Sequence, residues 1–174
     1  FTKSKNPTNI VDNIIQNCNF EQCTSTGTSS STGGGGAIYV EITLPACSFN
    51  VFECNFTNNI ANYIGGAIYL LICVGNIEKC HFKNNNGGTA SHIYHEKKSN
   101  GNVIYNNNTF EQNNDIGSTN GLIHIKWNKI GFINFKNNKV ISTYLNDIHL
   151  FYYTTNGAEP NSNNALFSSN WLYG

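Results

Sequence analysis

The sequence has no Met, only three Pro in 174 residues, and charge at just 11% of its positions, ten basic and ten acidic side chains cancelling to a formal net charge of zero. So neutral a chain has no basic patch for a phosphate backbone and no field to draw it to an anionic membrane, which excludes nucleic acid as a partner class. Long apolar runs are missing as well: nothing approaches the roughly 20 residues that span a bilayer, and no charged-then-apolar leader is present, so no membrane insertion by this chain is expected. A chain that opens on Phe1 without an initiator Met reads as a processed product or an excised fragment. Helical periodicity is also lacking, because no segment sustains apolar residues at i, i+3 and i+4.

What is present is repetition. Gly35-Gly36-Ala37-Ile38-Tyr39-Val40 returns as Gly65-Gly66-Ala67-Ile68-Tyr69-Leu70, then more loosely as Ser91-His92-Ile93-Tyr94-His95, Gly121-Leu122-Ile123-His124-Ile125 and Asn146-Asp147-Ile148-His149-Leu150. A second motif, Phe-x-x-Asn, alternates with it at Phe56/Asn59, Phe82/Asn85, Phe110/Asn113, Phe135/Asn138 and Phe167/Asn170, with Phe20/Cys23 as a variant first copy. A period of roughly 25 to 36 residues belongs to solenoids and stacked arrays. Apolar and polar residues alternate within each motif, as strands require. Ahead of each phenylalanine the inward residues lie two back (Cys18, Cys54, Cys80, Asn108, Ile133) and five back (Ile15, Val51, Ile77, Tyr105, Ile130). A spacing of three breaks the alternation, so the chain turns a corner there. Three short strands per unit, stacked unit on unit, predict an all-β fold: a right-handed parallel β-helix (solenoid) of about five to six coils.

The tetrapeptides Gly-Gly-Ala-Ile (Gly35 to Ile38, Gly65 to Ile68) and Phe-x-x-Asn resemble the repeat signature of the polymorphic outer-membrane proteins, autotransporter adhesins of intracellular bacteria, which also occurs in surface proteins of parasitic protists. The resemblance covers most of residues 15 to 170. It implies a β-helical module at a cell surface or secreted, used in adhesion, with no catalytic residue to carry over.

One domain, residues 1–174, is expected. Residues 1–14 form a cap or partial coil, and 24–36, rich in Ser, Thr and Gly, read as a loop extruded from the first coil. Residues 154–174 then supply an irregular connection and a cap from Trp171, Leu172 and Tyr173. The 32 asparagines suit turns, since Asn tolerates left-handed backbone angles, and AT-rich coding is an alternative source of the bias. Asn59, Asn85, Asn113, Asn138 and Asn170 are expected to form one hydrogen-bonded ladder. Of six cysteines, Cys18, Cys54 and Cys80 share one inward slot and Cys47 and Cys73 another; buried free thiols are preferred over disulfides between stacked neighbours, with a metal site last.

If the repeated isoleucines, Ile38, Ile68, Ile93, Ile123 and Ile148, point inward, then Tyr39, Tyr69, Tyr94, His124 and His149 point outward, one per coil. These five are the candidate binding strip for a sugar ring or a protein surface; the alternative is that they only support adjacent strands. A second ladder, Glu21, Thr57, Lys83, Glu111 and Lys136, alternates in sign over its last three members and reads as structural. The enzymes built on β-helices need two close carboxylates or a metal-binding acid cluster. Here Glu41 and Glu96 are separated by Leu71, Glu53 stands over Lys79, and Asp147 beside Leu122, while the cysteines look inward and the histidines outward. No catalytic residue, metal or cofactor is therefore assigned. The expected partner is a host or neighbouring-cell protein or glycan, or a second copy of the chain, and the expected location extracellular or cell-surface. Two sequons, Asn55-Phe56-Thr57 and Asn107-Asn108-Thr109, would accept glycosylation in a eukaryotic secretory pathway.

Overall fold

The computed structural model describes residues 11–29, 32–42, 47–72, 74–97, 101–113, 121–127, 132–142, 151–155, 165–168 and 171–173, the last three stretches through their backbone alone. Among these residues there are twenty strands and no helix. Sheet I stacks Val11–Gln16, Cys47–Phe52, Val74–Glu78, Val103–Asn106, Ile133–Lys136 and Ala165–Ser168; sheet II stacks Asn19–Glu21, Asn55–Thr57, His81–Lys83, Thr109–Gln112, Lys139–Ser142 and Trp171–Tyr173. Sheet IV stacks Ile38–Glu41, Ile68–Leu71, Ile93–Lys97, Ile123–Trp127 and Phe151–Thr155. Every neighbouring pair is parallel, the pattern of a parallel β-helix. A fourth strand of two residues, absent from the three-strand expectation, forms sheet III from Thr24–Ser25, Ile60–Ala61 and Asn86–Gly87.

The interior is a set of stacked rows. Ile38, Ile68, Ile93 and Ile123 are buried and in register. Across the column, Phe20, Phe56, Phe82 and Phe110 stack face to face with centroids 4.9, 4.8 and 5.0 Å apart. At about 1.5–3 kcal/mol for each Phe or Ile withdrawn from water, these rows dominate the stability.

The corners explain how the chain bends. Among the described residues, eight non-glycines have positive φ: Asn17, Gln22, Glu53, Asn58, Lys79, Asn84, Asn107 and Asn137. Each stands directly before a Cys or Asn that turns inward. Five of the eight are Asn, which pays little for that conformation. From the sheet I interior residue to the second corner the spacing never varies: Ile15 to Cys23, Val51 to Asn59, Ile77 to Asn85, Tyr105 to Asn113. Length varies elsewhere, between sheets III and IV and between sheets IV and I.

The register corrects several expectations. Phe135 does not follow Phe110 into sheet II; it continues the sheet I row Ile15, Val51, Ile77, Tyr105 and leads on to Phe167, while Val140 and Leu172 continue the phenylalanine row. Each of the first four coils carries an apolar-x-x-(Cys or Asn) unit twice, five residues apart, and in the fifth the Phe-x-x-Asn pattern moves from the second copy to the first. Ile133 accordingly pairs with Val103 and not with the corner, Ile141 takes the place expected of Lys136, and Ile130 lies outside the described residues. Phe151, not Ile148, follows Ile123. Trp171–Tyr173 is a sixth strand of sheet II, its backbone pairing residue by residue with Lys139–Ile141. Likewise Val11–Gln16 is a full strand paired with Cys47–Phe52, so residues 11–14 belong to the first coil. The 24–36 segment is anchored at both ends, by the Thr24–Ser25 strand and by Gly33 to Gly35, which are buried. Glycine is needed at the second anchor: a Cβ on Gly35, at φ 63, would stand 2.0 Å from the Ile38 carbonyl oxygen.

Candidate functional site

Alternation places Tyr39, Tyr69, Tyr94 and His124 on the outer side of sheet IV in one row, as the sequence predicts. The tyrosine rings stack with centroids 4.8 and 5.5 Å apart at 9° between planes, and His124 tilts 47° against Tyr94 at 4.7 Å. The fifth member is not His149, which lies outside the described residues; Tyr152 is the residue in register with His124. The last copy of the motif is three residues further along than the isoleucine count indicates.

The strip is not an open surface. Tyr69, Tyr94 and His124 retain only 5, 8 and 5% of their exposure, and Tyr39 is half-buried. Ile64, Leu71 and Ala90 close around the tyrosines to make a second, smaller core outside the column. Ile64 and Ala90 arrive from the turns that precede sheet IV, so the repeat that positions the rings also covers them. Burial pushes the Tyr94 hydroxyl up to about 12 and Tyr69 higher still, and holds His124 down at about 4 with help from Lys126. The stack is neutral at ordinary pH. At its edge the Tyr39 hydroxyl reaches Glu41 at 3.4 Å, and Lys126 pairs with Glu96 at 3.4 Å.

The two corner columns hold the other concentration of polar groups. The expected single asparagine ladder is two. Between sheets I and II the corner residues are Cys18, Cys54, Cys80, Asn108 and Asn138; between sheets II and III they are Cys23, Asn59 and Asn85, where Asn113 takes a different bond, its N–H donating to Asn84 Oδ1. Asn170 lies outside the described residues. The backbone ladder breaks at each corner, and the side chain from the next coil repairs it. The Cys80 N–H donates to Asn108 Oδ1 at 2.9 Å, and Asn108 Nδ2 donates to the Ile77 carbonyl at 2.8 Å. The Asn59 N–H and Asn85 Oδ1, and Asn85 Nδ2 and the Phe56 carbonyl, repeat the pair. Thiols do the same work weakly: Cys80 Sγ donates to the Val51 carbonyl at 3.6 Å, and the Cys18 N–H to Cys54 Sγ at 3.4 Å. Cys18, Cys23, Cys54 and Cys80 are free thiols. Burial raises the Cys54 thiol and lifts Cys80 to about 12, so both stay protonated donors. Cys73 lies outside the described residues.

Several of the described acids are engaged. Glu53 meets Lys79 at 3.1 Å, and Glu111 takes Lys83 at 2.9 Å, His81 at 3.1 Å and Asn113 at 2.7 Å, which holds its carboxyl below the ordinary value. Leu71 does separate Glu41 from Glu96. Asp147 lies outside the described residues.

Two histidines overturn the outward expectation. His92 takes the slot of Ala67 and Leu122 inside the column, where its Nδ1 accepts from Asn85 Nδ2 at 3.1 Å and its ring sits between Phe82 and Phe110 at 6.0 and 5.9 Å. Its Nε2 meets no acceptor among the described residues, and burial depresses it to about 3. His95 lies in the inward row of Leu70 and Ile125, with Nδ1 2.8 Å from the hydroxyl of the fully buried Tyr105. Alternation from Ile93 was the available signal for His95.

Of the sequon asparagines, Asn55 and Asn107 are both exposed. Comparison with known proteins gives no match: no family model, no curated protein and no solved structure matches the chain.

Proposed function

We propose that the chain is a non-catalytic β-helix module of an extracellular or cell-surface protein, used for adhesion to a host or neighbouring-cell protein or glycan. The repeat resemblance implies this reading. The observation that carries it is where the reactive side chains are spent: the described carboxylates at Glu53, Glu96 and Glu111 are tied to cations, and the corner thiols and amides are tied to the backbone between coils. Such a molecule presents a rigid surface and leaves its interior unreactive. With the tyrosine row covered, contact falls to the outer faces of sheets I and II and to the half-buried Tyr39 at the end of the row. Screening the purified chain on glycan and protein arrays tests this. Saturable binding that survives Tyr69→Ser in a folded variant places the partner on those outer faces, and hydrolysis or elimination of an arrayed glycan would overturn the reading.

A second reading, a structural subunit that assembles end to end, is favoured by one observation. Ile15, Cys18, Phe20 and Cys23 line the interior of the first coil yet are only half-buried, unlike Val51, Cys54, Phe56 and Asn59 in the next. A further coil stacked there would bury them. Sedimentation velocity over a hundredfold concentration range decides it, since a constant monomer excludes assembly of this chain alone.

A further inference from the structure

We propose that Asn55 and Asn107 are acceptors for N-linked oligosaccharide, and that the sugar is attached before the coils stack. The proposal rests on the extracellular reading above. Asn59, Asn85, Asn108 and Asn138, whose amides repair the corners, do not begin an Asn-x-Ser/Thr triplet; the two asparagines that do are exposed. In Asn55-Phe56-Thr57 the strand alternation turns acceptor and hydroxyl outward and seals Phe56 in the column. In Asn107-Asn108-Thr109 the left-handed Asn107 does the same, with Asn108 buried between an exposed acceptor and a half-buried threonine. Asn55 Nδ2 gives one hydrogen to Asn19 Oδ1 at 2.7 Å, and its other hydrogen is the one a sugar replaces.

The reaction requires a lipid-pyrophosphate-linked oligosaccharide. The amide nitrogen forms a bond to the anomeric carbon, the bond from that carbon to the pyrophosphate oxygen breaks, the amide proton passes to a base, and the lipid pyrophosphate leaves. A transferase must hold the triplet extended in its own groove. In the folded coil this would mean extracting Phe56 or Asn108 from the core and breaking the Asn55 N–H bond to Cys18 O at 2.9 Å, or that of Asn107 to Lys136 O at 3.2 Å. Attachment therefore precedes stacking. The acceptors lie two coils apart, roughly 10 Å along the column, beside the outer face of sheet II. Sugar there shields that face and leaves sheet I, with Tyr39 at the end of the covered row, to a protein partner.

The test is to pass the full chain, behind a cleavable signal peptide, through a eukaryotic secretory pathway. Two glycans are expected, both removed by a peptide-N-glycosidase that leaves Asp at 55 and 107. Asn55→Gln and Asn107→Gln should each remove one, and Thr57→Ala and Thr109→Ala should reproduce those losses without touching the acceptors. Purified unmodified chain, given transferase and donor, should accept sugar when unfolded and not when folded. Carbohydrate at neither site or only one, or equal modification of folded and unfolded chain, overturns the proposal. Surface labelling in the native cell is a separate measurement: a chain found only inside defeats the extracellular reading while forced secretion still reports on the acceptors.

Discussion

The corner between sheets I and II is built of sulfur in its first three coils and of amide in the next two. Cys54 and Cys80 reach the same kinds of backbone group on the preceding coil as Asn108 and Asn138, but at 3.4 to 3.8 Å instead of 2.8 to 2.9 Å. A thiol and a carboxamide share little chemistry in solution. Here they are interchangeable because the corner asks for one compact group that both accepts an N–H and donates to a carbonyl, and both have it. The amide meets that demand better, so the two halves of one column should differ in what they lose when cut.

The largest expected effect is in the amide half. Asn108→Ala strands the Cys80 N–H and the Ile77 carbonyl in the core, and at about 1–3 kcal/mol for each unmet group it should cost about 2–6 kcal/mol in chemical denaturation. A loss below the error of the measurement would show that water repairs the corner. Cys54→Ala, in the sulfur half, removes one atom and two weak bonds and should cost about 1–2 kcal/mol. If it equals Asn108→Ala, the thiols are full structural partners and the comparison collapses. Cys80→Asn moves the boundary between the halves by one coil; the volumes are close, and stability should stay within about 1.5 kcal/mol of the parent.

The smallest effect at neutral pH, and the sharpest in acid, belongs to His92, which leans on Asn85 in the other corner column. Its folded value, about 3, lies below the unfolded 6.5. Below 6.5 the unfolded chain therefore binds a proton that the folded chain refuses, so stability is complete above that point and declines as the pH falls toward 3. His92→Leu, the residue found one coil later at Leu122, should flatten the decline without abolishing it, since His124 is depressed in the same direction. An unchanged pH profile would mean His92 is hydrated in the folded chain.

The same two halves show what could be read in advance. The isoleucine row, the inward cysteines and the Glu53–Lys79 pair follow from the sequence pattern alone, because strand alternation and the recurring motifs fix them. The register was lost where chemistry changed but role did not. Phe135 resembles Phe110 by motif, yet it answers to Tyr105, since Val140 had taken over the phenylalanine slot. Ile148 looked like Ile123, and Phe151 holds the position. The aromatic row was legible, but its covering was not. Alternation says which way a ring points from its own sheet, and nothing about Ile64 and Ala90 folding over it from the preceding turns.

The unvarying stretch from the sheet I interior residue to the second corner divides each turn into a gauge and a slack. Residues added within the gauge would throw every later row out of step, whereas the slack already ranges from the two residues between Leu71 and Val74 to the twelve between Ser25 and Ile38. A lineage of such chains can therefore change its outline along one flank alone, lengthening or trimming excursions there while the opposite flank keeps count. Two relatives compared coil by coil should differ in outline on the sheet IV side and superimpose on the other.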